Sequence, residues 1–280
     1  MIKSIQAVKD KLKIVAKDKN MEFNSVMRFY MYDRFIERLS RSKYKDNFIL
    51  KGGFYLSTLF GIDNRSTMDI DTAITKAHFT YENVIKLIEE IINIYADDNV
   101  ILSVEKIGQI RDEDEYGGLR ITLRFRLEEY NDSFHIDVAT GDPIHPGPSD
   151  YGYKSLIGNE KYSVWAYSME TILAEKIETI FSKLEISSRM KDYYDIYLIY
   201  NNEFKSLNKN NFRKAALKTF NKRNFDGDLE KCLDIVKNSE RLHMYWNSYA
   251  RKNKFVGDVS FEDTIQCLES FVEILRSVDV

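Results

Sequence analysis

Two aspartates, Asp69 and Asp71, stand two residues apart in the sequence. Apolar and acidic residues alternate from Met68 to Ile74, which predicts a half-buried β-strand. Side chains at positions i and i+2 of a strand point to the same face. Two carboxylates placed so closely repel each other unless a cation lies between them, and hard oxygen ligands of this kind suit Mg²⁺ or Mn²⁺. The pair therefore predicts a divalent metal site.

A third carboxylate follows in Asp137, a lone acid within the apolar segment Phe134–Val138 that predicts another strand. If the two strands are neighbours, three carboxylates can hold two metal ions about 4 Å apart. Such a pair of ions can activate a hydroxyl nucleophile and stabilise a leaving pyrophosphate. We therefore expect Asp69, Asp71 and Asp137 to be metal ligands.

Residues suited to phosphate binding precede the aspartates. Gly52-Gly53 follows the apolar segment 47–50, and backbone N–H groups of such a pair can cradle phosphates. A polar turn, Arg65-Ser66-Thr67, leads directly into the first aspartate. An isolated Asp-x-Asp is most often a solvated or capping pair at a strand end. The glycines, the turn and Asp137 together favour a nucleotide-binding centre instead.

Four segments in this order resemble the DNA polymerase β-type nucleotidyltransferase superfamily and, more narrowly, the AbiEii/MenT toxin family. They are Leu50-Lys-Gly-Gly53, Arg65-Ser-Thr-Met-Asp-Ile-Asp71, Ile172-Leu-Ala-Glu-Lys176 and Arg189-Met-Lys-Asp-Tyr-Tyr-Asp195. The resemblance covers about residues 45 to 200. One departure is Phe54-Tyr55-Leu56, where many members follow Gly-Gly with a small residue and Ala-Leu. This difference concerns how the nucleotide packs on the following helix and leaves the metal ligands in place.

The resemblance implies a catalytic set and a nucleotide site. The catalytic residues would be Asp69, Asp71, Lys176 and Asp192. The nucleotide-binding residues would be Gly52, Gly53, Arg65, Ser66, Thr67 and Lys176. Lys176 would contact the nucleotide phosphates, although a lysine on an apolar helix face can also extend its charge to solvent.

Asp192 would orient Lys176 or act as a base toward the acceptor, and Asp195, Arg189 and Lys191 are secondary candidates. An ordinary salt bridge from Asp192 to Arg189 or Lys191 is the competing interpretation. Asp192 and Asp195 are three residues apart and share one side of the predicted helix.

The periodicity of apolar residues predicts an α+β fold, with a small mixed sheet flanked by helices and followed by a helical C-terminal bundle. Residues 1–45 are predicted to be helical. Further helices are predicted at 54–60, 81–95, 170–184, 191–200, 211–220, 229–238 and 261–278, and strands at 47–50, 68–74, 100–107, 119–127 and 134–138. Three prolines, Pro143, Pro146 and Pro148, predict an extended loop that closes the sheet region. We expect a nucleotidyltransferase domain with N-terminal helices at 1–165 and a helical domain completing the active site at 166–280.

The net charge is −3, yet basic residues cluster. Residues 1–51 hold 13 Lys and Arg against 6 Asp and Glu, and residues 205–223 hold seven basic residues and no acid. Such a stripe can neutralise RNA phosphates, although a solvated helix face is an equally good interpretation. The weak candidates for RNA binding are Lys205, Lys209, Arg213, Lys214, Lys218, Lys222 and Arg223.

The resemblance implies transfer of a nucleoside monophosphate from an NTP to RNA, at the 3′ end of tRNA, by a toxin of a toxin–antitoxin or phage-defence pair. It also implies a cognate winged-helix antitoxin encoded nearby. A small-molecule or protein acceptor, or nucleotide binding without an RNA substrate, stays open. The phosphatase signature Asp-x-Asp-x-Thr/Val is disfavoured, because polar residues 64–67 precede Asp69 instead of a continuous apolar strand.

The chain has the composition of a globular protein, with 44% hydrophobic and 30% charged residues. It has no apolar run near the roughly 20 residues that span a bilayer. Its cysteines, Cys232 and Cys267, are isolated, which suits a reducing compartment and argues against structural zinc. The N-terminus lacks the apolar core of a signal peptide. We expect a cytoplasmic protein without a membrane partner.

Overall fold

The structure is a computed structural model that describes residues 4–75, 80–110 and 118–276. It divides into two compact units. The first consists of Met1–Gly141 with Ser149–Ala166, and the second of Asp142–Pro148 with Tyr167–Val280. All strands of the described chain belong to the first unit, together with four helices.

The first unit contains, in chain order, α1 (Ile5–Asp18), α2 (Phe23–Arg41), β1 (Phe48–Leu50), α3 (Gly52–Phe60), β2 (Asp69–Ile74), α4 (Tyr81–Ile92), β3 (Ile101–Ile110), β4 (Gly118–Leu127), β5 (Tyr130–Ala139), β6 (Ser149–Lys154) and β7 (Lys161–Ala166). The second contains α5 (Met169–Lys183), α6 (Met190–Glu203), α7 (Lys209–Lys222), α8 (Leu229–Lys237), α9 (Glu240–Lys252) and α10 (Phe261–Arg276).

The described strands form one seven-stranded mixed sheet in the order β3-β4-β5-β2-β1-β7-β6. β2 pairs in parallel with β5, and β1 pairs in parallel with β7, whereas the remaining neighbours are antiparallel. The aspartate-bearing strands β2 and β5 are therefore direct neighbours in the middle of the sheet. This pairing is what brings residues 66 positions apart in the sequence to one place.

One face of the sheet is apolar and the other is polar. In β4 the buried residues Leu119, Ile121, Leu123 and Phe125 alternate with outward-facing polar residues, so the strand separates two environments along its whole length. On the buried face the rings of Tyr30 and Phe125 lie 6.1 Å apart, with α2 packed against this side. Burial of this apolar face against helices fixes which side chains remain on the polar face.

Helices α5, α7, α8 and α9 of the second unit begin at residues whose side chains accept hydrogen bonds from free N–H groups of the first turn. The hydroxyl of Ser168 accepts a hydrogen bond from the Thr171 N–H at the start of α5, and the Asn208 side chain caps α7 in the same way. Aromatic rings fill the space between α6 and α9, where Tyr194 contacts Trp246. Local capping and apolar periodicity thus account for most helix boundaries here.

The predicted fold class is confirmed, and the structure differs from the prediction in the following details. The helical segment at the N-terminus is two helices separated by residues 19–22, and α3 begins already at Gly52. Strands β6 and β7 and helix α9 were not predicted. The proline loop does not close the sheet region, because these two strands follow it and the segment Asp142–Pro148 belongs to the helical unit. In the described part of the chain, no helix is both long enough and apolar enough to cross a membrane.

Candidate active site

Three carboxylates meet on the polar face of the sheet. In the parallel pairing of β2 with β5, Asp71 lies opposite Asp137 and Asp69 lies opposite His135. The side chains of Asp69 and Asp137 are 27% and 17% exposed, so both are partly shielded from water. Burial raises the pKa of Asp69 above its ordinary value, Arg120 opposes this rise, and the charges of Asp137 and Asp71 add to it. The three carboxylates therefore carry more negative charge than Arg120 neutralises.

Arg120 of β4 is a site residue that the sequence analysis missed. Its Nε donates to Asp137 Oδ1 over 2.8 Å and its Nη2 to Asp137 Oδ2 over 2.6 Å, and Nη2 also lies 3.5 Å from Asp69 Oδ2. Arg120 stands directly opposite Asp137 in the β4–β5 pairing. The alternation of arginines in this strand was visible in the sequence, but the register that places one of them beside Asp137 was not.

Gly52 and Gly53 set the distance between α3 and the aspartates. The Gly53 N–H donates to Asp71 Oδ2 over 3.0 Å, so the positive end of the helix faces this carboxylate. Gly52 has a φ of 58°, and a Cβ added there would lie 2.6 Å from Asp71 Oδ2. A side chain at Gly52 would be strained and would collide with the carboxylate. The glycines are therefore required for the close approach of the helix.

The turn before Asp69 is held by a buried arginine. Arg65 is 4% exposed and donates to the carbonyl oxygen of Ser66. A Cβ added to Gly53 would lie 2.7 Å from the Nη2 of Arg65, so this glycine also makes room for the guanidinium. The hydroxyl of Thr67 donates to the carbonyl of Asp69 over 3.3 Å. The predicted nucleotide-binding residues of the first unit thus lie together with the aspartates.

A second charged group lies within the helical unit. Lys176 of α5 places its Nζ 2.8 Å from Asp192 Oδ1 and 2.6 Å from Asp195 Oδ2, both on α6. The Nε of Arg189 donates to Asp192 Oδ2 over 2.8 Å. Lys176, Asp192 and Asp195 are all buried, whereas Lys191 is exposed. The sequence placed these residues on two helices, and the structure brings their charges together.

The ion pairs decide the protonation states of this group. Burial disfavours the charged form of Asp192, but Lys176 and Arg189 outweigh it and hold the pKa of that carboxyl well below its ordinary value. Burial likewise opposes the charge of Lys176, yet Asp192 and Asp195 raise its pKa above the usual range. Asp192 is therefore a carboxylate and Lys176 an ammonium, which suits Asp192 for orienting Lys176 better than for accepting a proton.

The basic stripe of residues 205–223 contains two kinds of cation. Lys205, Lys209, Lys214 and Lys218 are exposed. Arg213 instead donates to the Ile274 carbonyl over 2.8 Å, and Arg223 lies 2.7 Å from Glu178 and 3.4 Å from Asp142. Lys222 is partly buried. These two arginines hold the helical unit together, so the exposed part of the stripe consists of lysines.

The predicted site residues thus form two groups, one in each unit. In the described chain, no three His, Cys, Asp or Glu side chains are arranged as a metal site, and the Arg120 guanidinium lies between Asp137 and Asp69 instead. Both cysteines are free and buried, at Cys232 and Cys267.

Comparisons with known proteins show the family and the fold. The sequence profile of a nucleotidyl transferase family, the AbiEii toxin of type IV toxin–antitoxin systems, matches residues 34–267. This range contains all four segments on which the resemblance rested. No curated protein matches the sequence.

A solved structure shares the fold. A candidate nucleotidyltransferase from H. pylori superposes with a TM-score of 0.55 at 14% identity, over 91% of this chain and 96% of its own. JHP933 from Helicobacter pylori has a TM-score of 0.45 at 13% identity, over 84% of this chain and 98% of its own. An antigenic nucleotidyltransferase-like protein from Paracoccidioides brasiliensis has a TM-score of 0.37 at 14% identity, over 84% and 92%. The profile match covers more than half of the chain, and the chain therefore belongs to the AbiEii family of nucleotidyl transferase toxins from type IV toxin–antitoxin systems.

Proposed function

We propose that this toxin transfers a nucleoside monophosphate from an NTP to the 3′ hydroxyl of an RNA, at the end of tRNA. The observation that carries the proposal is the meeting of Asp69 and Asp71 on β2 with Asp137 on β5, beside the N-terminus of α3. A helix N-terminus attracts phosphate, and carboxylates on the adjoining strand attract the cations that accompany it. This combination suits a triphosphate better than an uncharged substrate.

We propose that the three carboxylates form a divalent metal centre once Arg120 is displaced from them. Asp137 grips the Arg120 guanidinium with both oxygens, and Asp69 Oδ2 lies 3.5 Å from the same Nη2, so two of the three acids already share one cation. Asp69, Asp71 and Asp137 would hold Mg²⁺ or Mn²⁺. Bound ions would polarise the α-phosphate and lower the pKa of the attacking hydroxyl. We propose that this metal dependence requires the guanidinium to leave Asp137.

The chain's own groups would position the nucleotide around this centre. The Gly53 N–H fixes the rotation of Asp71 by binding its Oδ2. Arg65 holds the turn that carries Ser66 and Thr67, whose hydroxyls can donate to the triphosphate. Each of these contacts orders the reacting groups before the substrate arrives, which is how positioning lowers a barrier.

We further propose that the helical unit supplies Lys176 and Asp192 to the reaction. Lys176 is an ammonium with three N–H donors, and Asp192 and Asp195 accept two of them. The remaining donor would bind a phosphate oxygen, with Asp192 fixing its direction. Asp195, Arg189 and Lys191 would act as supporting residues.

The family places this toxin in a pair with an antitoxin. We propose that the antitoxin is a winged-helix protein encoded nearby, that the pair serves in phage defence, and that the toxin meets its NTP and tRNA in the cytoplasm. Deleting the neighbouring gene while the toxin gene is retained should then arrest growth, and restoring it should relieve the arrest.

The transfer reaction can be tested with purified protein, Mg²⁺, each of four α-labelled NTPs and total tRNA. The wild type should label the 3′ end of RNA, and Asp69→Asn should lose about a thousandfold in rate, because a metal ligand contributes several kcal/mol to the transition state. Asp150→Asn, an exposed strand aspartate on β6, is the matched control and should retain activity. Absence of labelled RNA would exclude the RNA acceptor, and label in protein or a small molecule would identify the acceptor instead.

A further inference from the structure

The polar face of the sheet continues beyond the carboxylates as a row of cations on β4. Arg120, Thr122, Arg124 and Arg126 alternate with the buried residues of this strand, and all three arginines are exposed. Every second residue of a strand is separated by about 6.6 Å. This separation resembles that of successive phosphates along an extended nucleic-acid strand. The row therefore has the spacing of a backbone-binding surface.

The strands on both sides of β4 add compatible groups. Lys106 of β3 and His135 of β5 lie opposite Thr122, while Ser133 lies opposite Arg124 and Asn131 opposite Arg126. Among the described residues of β3, β4 and β5 on this face, Glu105 is the acid outside the carboxylate group, and it is paired with Arg124. We call the surface formed by Lys106, Arg120, Thr122, Arg124, Arg126, Ser133 and His135 the β4 face. Its charge is positive, with hydroxyl and imidazole groups between the cations.

The β4 face has a direction. At one end Arg120 contacts Asp137 and Asp69, and at the other end Glu128 and Glu129 follow β4 in the turn to β5. A polyanion on the arginines would be repelled by these two glutamates. It could approach the carboxylates at the other end only when bound metal ions neutralise them. The same strand thus connects a phosphate-binding surface to the reacting centre.

We propose that the β4 face binds the sugar–phosphate backbone of the acceptor RNA and leads its 3′ end to Asp69 and Asp71. This inference rests on the proposed transfer to RNA. Arginine pairs with phosphate in a bidentate manner, and hydroxyl and amide side chains donate to phosphates and sugars. Among the seven residues of this face, the one ring is the imidazole of His135, and the other groups suit phosphates and sugars, so most of this contact is independent of base sequence.

The β4 face competes with the lysine stripe on α7 as the RNA site. On α7, Arg213 and Arg223 are engaged within the helical unit, which leaves dispersed lysines. Lysine offers a point charge, whereas arginine offers a planar fork that matches phosphate. The β4 face also begins at the carboxylates themselves. These differences favour β4 over α7.

The test compares two double variants in the full-length protein. Arg124→Gln/Arg126→Gln removes two cations from the β4 face, and Lys214→Gln/Lys218→Gln removes two from α7 as the matched control. Fluorescence anisotropy would measure the Kd for a tRNA acceptor-end oligonucleotide across a series of NaCl concentrations. Nucleotide binding, measured separately with an NTP and Mn²⁺, should be equal in all three proteins. Arg126→Gln alone serves as a second variant that keeps the pairing of Arg124 with Glu105.

We expect the β4 variant to bind RNA about tenfold or more weakly, with the slope of log K against log salt reduced by about 1.4 for two single-strand phosphates. The α7 variant should match the wild type. If wild-type protein labels RNA and the β4 variant binds with an unchanged Kd and slope, the β4 face is not the RNA site. Loss of RNA binding in the α7 variant alone would move the site to α7. If the wild type itself neither binds nor labels RNA, the proposed function fails as well.

Discussion

The two charged groups of this protein use similar residues but differ in their net charge. On the sheet, Asp69, Asp71 and Asp137 outnumber Arg120, which pairs with two of them at a partly exposed surface. Between α5 and α6, two carboxylates are matched by Lys176 and Arg189, and three of these four side chains are buried. The sheet group has excess negative charge, whereas the helical group is neutral.

The difference indicates which group depends on a ligand. Carboxylates that repel each other gain from a cation supplied by the substrate or by the solution. A buried ion pair whose charges already balance is not stabilised by a further charge. Removing one partner strongly destabilises the folded protein. The sheet group is thus organised for binding, and the helical group also holds the fold of its unit. A residue such as Lys176 must then be tested for stability as well as for activity.

The largest expected effect is on the stability of the helical unit. Lys176→Met leaves Asp192 and Asp195 buried without their shared cation, which should destabilise the protein by about 3–5 kcal/mol. Urea unfolding followed by circular dichroism would measure this change. Lys191→Met, at an exposed position of α6 next to Asp192, should remain within about 0.5 kcal/mol of the wild type. Equal stability of Lys176→Met and the wild type would remove the distinction between the two groups.

A smaller effect is expected at the sheet group when Arg120 is removed. Arg120→Ala takes away a cation that competes with metal for Asp137 and Asp69, so the affinity for Mn²⁺ should rise. Exposed ion pairs contribute up to about 1 kcal/mol, and the Kd should therefore fall by a few-fold. Isothermal titration calorimetry or the electron paramagnetic resonance signal of free Mn²⁺ would report it.

Arg126→Ala, on the same strand but away from the aspartates, is the control and should leave Mn²⁺ binding unchanged. Weaker binding of Mn²⁺ by Arg120→Ala would mean that the arginine supports the metal site and does not compete with it. The metal titration thus distinguishes an arginine that competes with the metal from one that supports the metal site, which an activity assay would not.

The smallest effects concern pH, where the two groups should respond in opposite directions. The pKa of Asp69 is raised in the folded protein, so its favourable contribution to stability is present at low pH and is lost as the pH rises through that pKa. The pKa of Asp192 is lowered, so its contribution is present above the ordinary pKa and is lost as the pH falls.

Urea unfolding between pH 3.5 and pH 7 would compare Asp69→Asn and Asp192→Asn with the wild type. Asp69→Asn should be at least as stable as the wild type at pH 7, with the difference shrinking toward low pH. Asp192→Asn should be less stable at pH 7, and its deficit should also shrink as the pH falls. A destabilised Asp69→Asn at pH 7 would contradict the view of the sheet group as internally strained by charge.

Secondary structure was predicted well from the sequence where the periodicity of apolar residues coincides with a motif. The α+β class, the helices α5, α6, α7, α8 and α10 and the strand carrying Asp69 and Asp71 followed from alternation and helical spacing. β6 and β7 were missed because their segments are short and polar, although Tyr162, Val164 and Ala166 alternate inward in β7. The helix α9 was missed, although its buried residues Leu242 and Trp246 stand four residues apart, at helical spacing.

The sequence by itself determined the residue types and their local geometry: two carboxylates on one strand face, glycines able to approach them, and a lysine and two acids at helical spacing. Only the tertiary structure decided that β2 and β5 are parallel neighbours with Asp71 opposite Asp137, and that Arg120 pairs with that acid. Strand order and register depend on which apolar faces pack together across long sequence separations. No local pattern around Asp69 or Arg120 contains that information.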